Sequence, residues 1–408
     1  MVKEYKDLMV GLDIGTAKVM VVVAEVTAAG LKLAGLGVAP GHGLKRGVVV
    51  NIDATVQGIQ AALKEAELMA DCRIGRVWTG ITGSHVRGMN SRGMVAVKDR
   101  EVTPADVARV VETARAVNIS TDQRLLLVAP QEFVIDGQDV KEPIGMSGIR
   151  LEANVHIVTG AQSAAENILK CVRRCGLEVE QLLLNPLASS HAVLTDDEKE
   201  LGVALVDIGA GTTDVAIFTG GAIRHTAVIP IAGDLITSDV AMALRTPTKD
   251  AEDIKVESGC AKQLLADPDT QVEVPGLGDR GPRMLSRQAL AGVIEPRVEE
   301  IFALVQQVVR DSGFEEVLSS GIVLTGGSAV MQGMVELGED IFLKPVRRGV
   351  PQYTSALSDM VAQPRAATVM GLLEEARLAR VRGHKVAQKA GSMQSALDRV
   401  KNWFVGTF

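Results

Sequence analysis

The chain writes one unusual pattern twice. At 11–19 it reads GLDIGTAKV and at 205–217 LVDIGAGTTDVAI: an apolar run, then Asp-Ile-Gly, then a turn of small residues. Both runs, 8–14 and 203–208, are apolar, rich in β-branched residues, and end at an aspartate and a Gly-containing turn, as buried strands do. The stretches that follow, KVMVVVAEV (18–26) and TTDVAIFTGG (212–221), are strand-like again, so each unit reads as a β-hairpin. A further strand candidate comes next in each half, LKLAGLGVAP (31–40) and AIRHTAVIPI (222–231). Helical patterns then follow at 54–70 and about 234–245. The order of elements repeats as well as the letters, which predicts two similar α/β domains. A length of 408 residues, too long for one ordinary core, agrees.

Between the halves lies a separate block, 84–160. It holds a strand pattern at 93–98, a helix capped by Thr103 with Pro104 in its first turn, and two more strands, LLLVAPQEFVID and ANVHIVTG. A helix from about Gln162 to Cys175, stopped by Gly176, returns to the first domain. A second helical block with a polar Gly/Pro-rich loop fills 247–312, and Pro296 is expected to kink or break its last helix. Strand 321–325, the helical stretch SAVMQGMVEL and a small-residue helix at 366–376 complete the body, before a basic linker.

The doubled turns suit phosphate chemistry. Gly15, Gly209 and Gly211 would let backbone N–H groups approach phosphate oxygens, with hydroxyls from Thr16, Thr212 and Thr213 and a point charge from Lys18. Asp13 and Asp207 would repel phosphates and each other, and a hydrated Mg²⁺ between them resolves that. In GIVLTGGSAVMQG, Gly326 and Gly327 separate a strand from a helix that Ser328 can cap, and would admit an adenosine ribose and phosphates. The plainer reading of either turn alone is a tight hairpin with a solvated aspartate; the doubling and the third motif tell against it. No GxxxxGK[ST] occurs, and GAGTTD (209–214) has Asp214 at the third glycine of a dinucleotide fingerprint and a strand after it.

Composition excludes other classes. The net charge of −7 argues against nucleic acid as a partner, and no apolar run is long enough to span a bilayer. The N-terminus MVKEYKDLMV lacks a signal core. Cys72, Cys171, Cys175 and Cys260 read as reduced thiols without metal spacing. Charge is uneven: from residue 376 onward seven cations face one acid, a net +6, leaving −13 for residues 1–375. A basic tail on an acidic body suits an anionic surface.

With these motifs the chain resembles the superfamily of actin, heat-shock chaperones and sugar kinases, whose connecting helices LLLNPLASSHAVL (182–194) and AATVMGLLEEA are similar to. Within it, the likeness extends along essentially the whole chain to the FtsA family of bacterial cell-division actins, through 81–97, 200–230, RQALAGVIEPR (287–297) and the C-terminus. The resemblance implies an actin-like (ribonuclease H-like) α/β fold. Subdomain IA would take 1–83, 161–200 and about 346–376; IC 84–160; IIA 201–246 and 313–345; and IIB 247–312. It also implies ATP and Mg²⁺ in the cleft, with Lys255 near the adenine. Implied partners are the C-terminal tail of the tubulin-like FtsZ on IIB, near Arg283, Arg297 and Glu300, filament neighbours through IC, and other divisome proteins. The implied place is the cytoplasmic face of the inner membrane at the septum. Asn185 stands where actin has glutamine and the chaperones glutamate beside the attacking water, so slow hydrolysis at most is expected.

The last stretch, SMQSALDRVKNWFVGTF (392–408), places Met393, Leu397, Val400, Trp403, Phe404 and Phe408 on one helical face, behind a linker at 377–391. An amphipathic helix usually docks on its own protein, but a basic tether favours anionic phospholipid. Two other readings of the chain remain at this point. A small-molecule kinase of the same superfamily would need a substrate pocket and base that the sequence does not offer. A pilus-assembly adaptor has similar subdomains, but the tail disfavours it.

Overall fold

The computed structural model describes residues 8–27, 30–278, 280–353 and 358–381. The first hairpin forms as expected: β1 (Leu8–Ile14) pairs antiparallel with β2 (Lys18–Thr27), and β2 with β3 (Gly30–Pro40). A small ribbon of β4 (Leu44–Lys45) and β5 (Val48–Val49) leads to α1 (Ile52–Ala70), whose N-cap Asn51 accepts from the Ala54 N–H. Then β6 (Arg76–Ile81) adds parallel to β1.

The inserted block follows as β7 (Arg87–Ala96), α2 (Pro104–Arg115), β8 (Gln123–Ile135), β9 (Gln138–Val140) and β10 (Arg150–Ala161), in a sheet ordered β7-β10-β8-β9. Thr103 caps α2 through a reciprocal capping box with Asp106. Ala153, Val155 and Ile157 pack with Val107, Val110 and Val111 of α2 in a core of their own. The chain then returns through α3 (Gln162–Arg174) to β11 (Glu178–Leu184), parallel to β6.

After α4 (Asn185–Val193) and α5 (Asp196–Leu201) the pattern starts again. Strands β12 (Val203–Ile208), β13 (Thr213–Thr219) and β14 (Ala222–Ile229) form the second meander, followed by α6 (Gly233–Leu244) and α7 (Thr248–Ser258). A hairpin of β15 (Gln271–Val274) and β16 (Arg283–Ser286) precedes α8 (Arg287–Asp311), which runs through Pro296 without the expected break. Next come β17 (Ile322–Thr325), α9 (Met334–Phe342), β18 (Val346–Arg348), the short α10 (Ser358–Val361) and α11 (Ala367–Val381). The two large sheets have the same plan. β3-β2-β1-β6-β11 in one matches β14-β13-β12-β17-β18 in the other, each an antiparallel meander followed by two parallel strands.

Period-two alternation explains why β1, β2 and β12 are buried on both faces. Val10, Leu12, Val21 and Val23 face α1 and α3, while Met9, Met20 and Val22 face α11. In the second sheet, Val206 and Ile217 face α6 and α8, and Leu205, Ala216 and Phe218 face Val193 of α4. So α4 and α11 cross between the sheets. The free edge of β3 is sealed by side chains: the Leu33 N–H donates to the Tyr353 hydroxyl at 3.0 Å, that hydroxyl donates to the Leu31 carbonyl, and the Val38 N–H donates to Glu65 at 2.8 Å.

Two expectations need correction. Residues 377–381 are helix rather than linker: Arg377 pairs with Glu374, and Arg380 donates to the Leu8 carbonyl at 3.2 Å. Ser328 lies inside a 3₁₀ turn, Gly327–Val330, and its hydroxyl donates to the Gly209 carbonyl at 2.9 Å instead of capping a helix. The rest of the linker and the face of Met393, Leu397, Val400, Trp403, Phe404 and Phe408 lie outside the described residues.

The helix crossing depends on Gly371, where a Cβ would overlap the Ala188 carbonyl. Alanine is about 1 kcal/mol better than glycine inside a helix, but overpacking against backbone costs about 1–3 kcal/mol or more. Gly371→Ala is therefore expected to lower the urea midpoint of unfolding. An unchanged or raised midpoint would show that the helices part freely.

Candidate functional site

The turns after β1 and β12 face each other across the two lobes. A Cβ on Gly211 would lie 2.5 Å from Thr16 Oγ1 and 3.0 Å from the Arg46 backbone. The Gly47 N–H donates to that Thr16 hydroxyl at 3.4 Å, and a Cβ on Gly47 would touch the Thr212 methyl at 3.2 Å. Gly211 is thus needed for contact between the lobes. Gly15 and Gly209 spend their N–H groups closing their own hairpins, on the carbonyls of Lys18 and Thr212 at 2.8 and 3.0 Å. Thr213 spends its hydroxyl on the Ile231 carbonyl. These three donors are thus engaged within their own lobes.

The aspartates differ in company. Asp13 is opposite Met20 in its ladder, and Lys18, on the same face, reaches diagonally to it at 2.7 Å. Lys18 is therefore neutralised by Asp13. Asp207 is opposite Asp214, so two carboxyls share one face of the second hairpin. Ser189 on α4 donates to Asp207 at 2.6 Å, and Thr368 on α11 donates at 3.4 Å. Asp214 accepts from Thr82 at 2.6 Å. Burial pushes Asp207 above the usual carboxylate range, with Asp13 adding to the shift against the Ser189 bond. Burial, then the neighbouring Asp207, pushes Asp214 up to about 8. No three His, Cys, Asp or Glu side chains among the described residues are arranged to hold a metal ion directly.

The third motif divides in two. Gly326, at φ +89°, packs on Asp207 and the Ile208 carbonyl, where any Cβ would collide. Gly327 faces space: a Cβ there would meet nothing nearer than Arg365 Cβ at 4.0 Å. Asn185 opens α4 over Gly80, and its buried Oδ1 has no hydrogen-bond partner. Lys255 is buried, and its amine is held by Glu252, Thr237 and the Gly233 carbonyl at 2.6, 2.8 and 3.2 Å.

The residues expected at a partner surface are engaged internally. Arg297 on α8 makes a two-nitrogen pair with Asp239 of α6, at 2.5 and 3.1 Å, and also pairs with Glu300. Arg283 donates to the Leu244 carbonyl. A change at Arg297 would therefore disturb α6–α8 packing as well as any surface.

Sequence reasoning missed Asp214, Ser189, Thr368 and Thr82. Asp214 had a signal, since the Asp-x6-Asp spacing around a tight turn places both carboxyls on one strand face. The three hydroxyls had none, being ordinary small residues in apolar surroundings.

Two lobes of one plan, joined by crossing helices with facing Asp-Gly turns, define the actin-like class. Solved structures of this fold include the PilM–PilN type IV pilus biogenesis complex, with a TM-score of 0.65 and 19% identity over 89% of this chain and 97% of that one. MreB5 of Spiroplasma citri bound to ADP has a TM-score of 0.56 and 14% identity over 98% and 100%. A model of "Cell division protein FtsA" matches residues 204–371, and one of the "SHS2 domain inserted in FTSA" matches residues 83–159. FtsA of Pseudomonas aeruginosa is 55% identical over 98% of both chains, and that of Escherichia coli K12 44% identical over 98% of this chain and 97% of its own. The chain belongs to the FtsA family of cell division proteins.

Asp214 carries a pH signature. The folded protein holds its proton up to about pH 8, whereas an unfolded aspartate releases it near pH 4. The folded state binds more protons across that window, so stability present below about pH 4 is lost as pH rises toward 8. In chelator and without nucleotide, the melting temperature is expected to fall over this range, and to fall less in Asp214→Asn. Equal slopes in fluorimetric melts would remove the assignment.

Proposed function

We propose that the cleft between the two turns binds ATP with Mg²⁺, and that the protein uses it to polymerise and to tie the FtsZ tail to the cytoplasmic face of the inner membrane. The observation that carries the nucleotide reading is the buried group of Asp13, Asp207 and Asp214 where the lobes meet. Burying Asp207 and Asp214 side by side raises the free energy of their charged forms. A hydrated divalent cation offsets that, so the donor set fits Mg²⁺ held through water by Asp13 and Asp207. When bound, the ion would neutralise phosphate charge. The chain's own part would be to release Lys18 toward phosphate, to admit the nucleoside over Gly327, and to keep Gly15, Thr16, Gly209, Gly211 and Thr212 in facing turns. Gly326 would hold Asp207 in place. Lys255 would line the adenine side through its methylenes, since its amine is engaged. Asn185 offers one short amide to a water, which supports a slow hydrolysis at most.

Asp207→Ala and Gly327→Glu are both expected to weaken ATP binding at least tenfold in folded protein, the first by losing a carboxylate on the cation side, the second by filling the open side of the motif. Calorimetric titrations matching wild type would overturn the site.

The wider role rests on family membership and on the tail. Subunits would associate through the inserted domain, and the FtsZ tail would meet the 247–312 region around Arg283, Arg297 and Glu300. Among the described residues no helix is long and apolar enough to cross a membrane, so attachment would fall to 392–408. Burial of its apolar face at roughly 25 cal/mol per Å² gives several kcal/mol at most. Ordering a short helix offsets much of that gain. One tail would therefore bind reversibly, and many tails on one polymer firmly. Trp403→Glu is expected to abolish co-sedimentation with anionic liposomes while leaving ATP binding intact. Wild-type pelleting by that variant would mean that the tail docks on the body.

A further inference from the structure

Asp214 belongs to the second lobe, yet its hydrogen-bond donor does not. Thr82 stands just past β6, where the first lobe's chain leaves for the inserted domain, and its hydroxyl lies 2.6 Å from Asp214 Oδ1. Both residues are buried, at 8% and 3% exposure. The residues that follow build a joint. Gly83 takes φ +135°, a region open to glycine, and its carbonyl accepts from the Val86 N–H at 3.0 Å. His85 then reaches the returning chain: its Nδ1 accepts from the Ala161 N–H at 3.3 Å, which leaves its hydrogen on Nε2. The ring lies against Gly160, where a Cβ would come within 3.1 Å of Nδ1. His85 thus staples the entry and exit of the inserted domain to each other. The entry is tied in turn to the second lobe by Asp214, seven residues along the hairpin from Asp207 and directly opposite it in register.

We propose that the Thr82–Asp214 hydrogen bond is the link through which occupancy of the cleft sets the posture of the inserted domain. This rests on the reading of the cleft as a nucleotide site. The Thr82 hydroxyl has one hydrogen to give and gives it to Asp214. A cation or phosphate arriving beside Asp207 changes the field at Asp214, its cross-strand neighbour, and so changes how firmly that hydrogen is held. The first element to feel the change is the Gly83–His85 joint. A bond that only satisfied a buried acid would stabilise the joint equally with and without ligand; a link makes the joint respond to the ligand.

Hydrogen exchange on the full chain separates the two. In wild type, saturating Mg-ATP is expected to change exchange in the turn peptides 11–19 and 205–217 and also in the joint peptides 82–88 and 159–162. Thr82→Val, which keeps shape and removes the donor, is expected to speed exchange of the ligand-free joint about tenfold. It should keep the response of the turns and lose that of the joint, while Thr82→Ser, which keeps the hydroxyl, behaves as wild type. A joint that still responds in Thr82→Val overturns the link, as does a Thr82→Ser protein that resembles Thr82→Val. Turns that respond in wild type while the joint does not also sink the link and leave the nucleotide site standing. Turns that fail to respond at all overturn the nucleotide reading and the link with it. Should Thr82→Val fail to fold, Thr82→Ala gives the same comparison without apolar atoms against the acid.

Discussion

Asp207 sits under two crossing helices with almost no access to water, and its surroundings have to compensate. Burying an ionised carboxylate costs several kcal/mol even after relaxation. Hydrogen bonds to a charged group return about 1.5–3 kcal/mol each, so the hydroxyls of Ser189 and Thr368 are of the right order to hold it. Those hydroxyls arrive together only because α4 and α11 approach closely, and they do so because position 371 has no side chain. The contact of the lobes and the donor set of the cleft are therefore one arrangement. Loosening the helices would strand the acid, and removing the acid would leave two hydroxyls without their shared acceptor.

The two halves share a plan but not a chemistry. In the first hairpin the residue opposite the aspartate is Met20, and Lys18 covers the carboxylate. In the second, Asp214 and Thr212 hold the corresponding places. One turn thus pairs its aspartate with a cation, and the other sets two carboxyls side by side. On the proposed reading, a ligand carrying both a cation and phosphates would meet a different partner on each side, as an asymmetric molecule held by a duplicated scaffold requires.

Much of the fold was legible in the residues because the signals were local. Strand–Asp-Ile-Gly–strand units, the Thr103 cap before Pro104, and the continuous apolar runs of β1, β2 and β12 each state their own structure. What stayed hidden depends on contacts far apart in sequence. Gly211, read as a phosphate glycine, is also a lobe contact, because only the folded chain brings it to Thr16. Arg297, which the resemblance places at a partner surface, also holds Asp239, which lies 58 residues away. Helix α11 outran the expected linker because Arg377 and Arg380, read as tether, find Glu374 and the Leu8 carbonyl within reach.

The sealed edge of the first sheet has a consequence for crowding. An open edge strand is a template on which another extended chain, or a second copy of the sheet, can pair. Along β3 the phenol of Tyr353 takes the part of a neighbouring strand, accepting from one backbone group and donating to another, while Glu65 occupies a third. Those three backbone groups are closed to pairing with another copy. A contact between copies along this stretch would then fall mainly to side-chain surfaces, which separate more readily than a paired ladder.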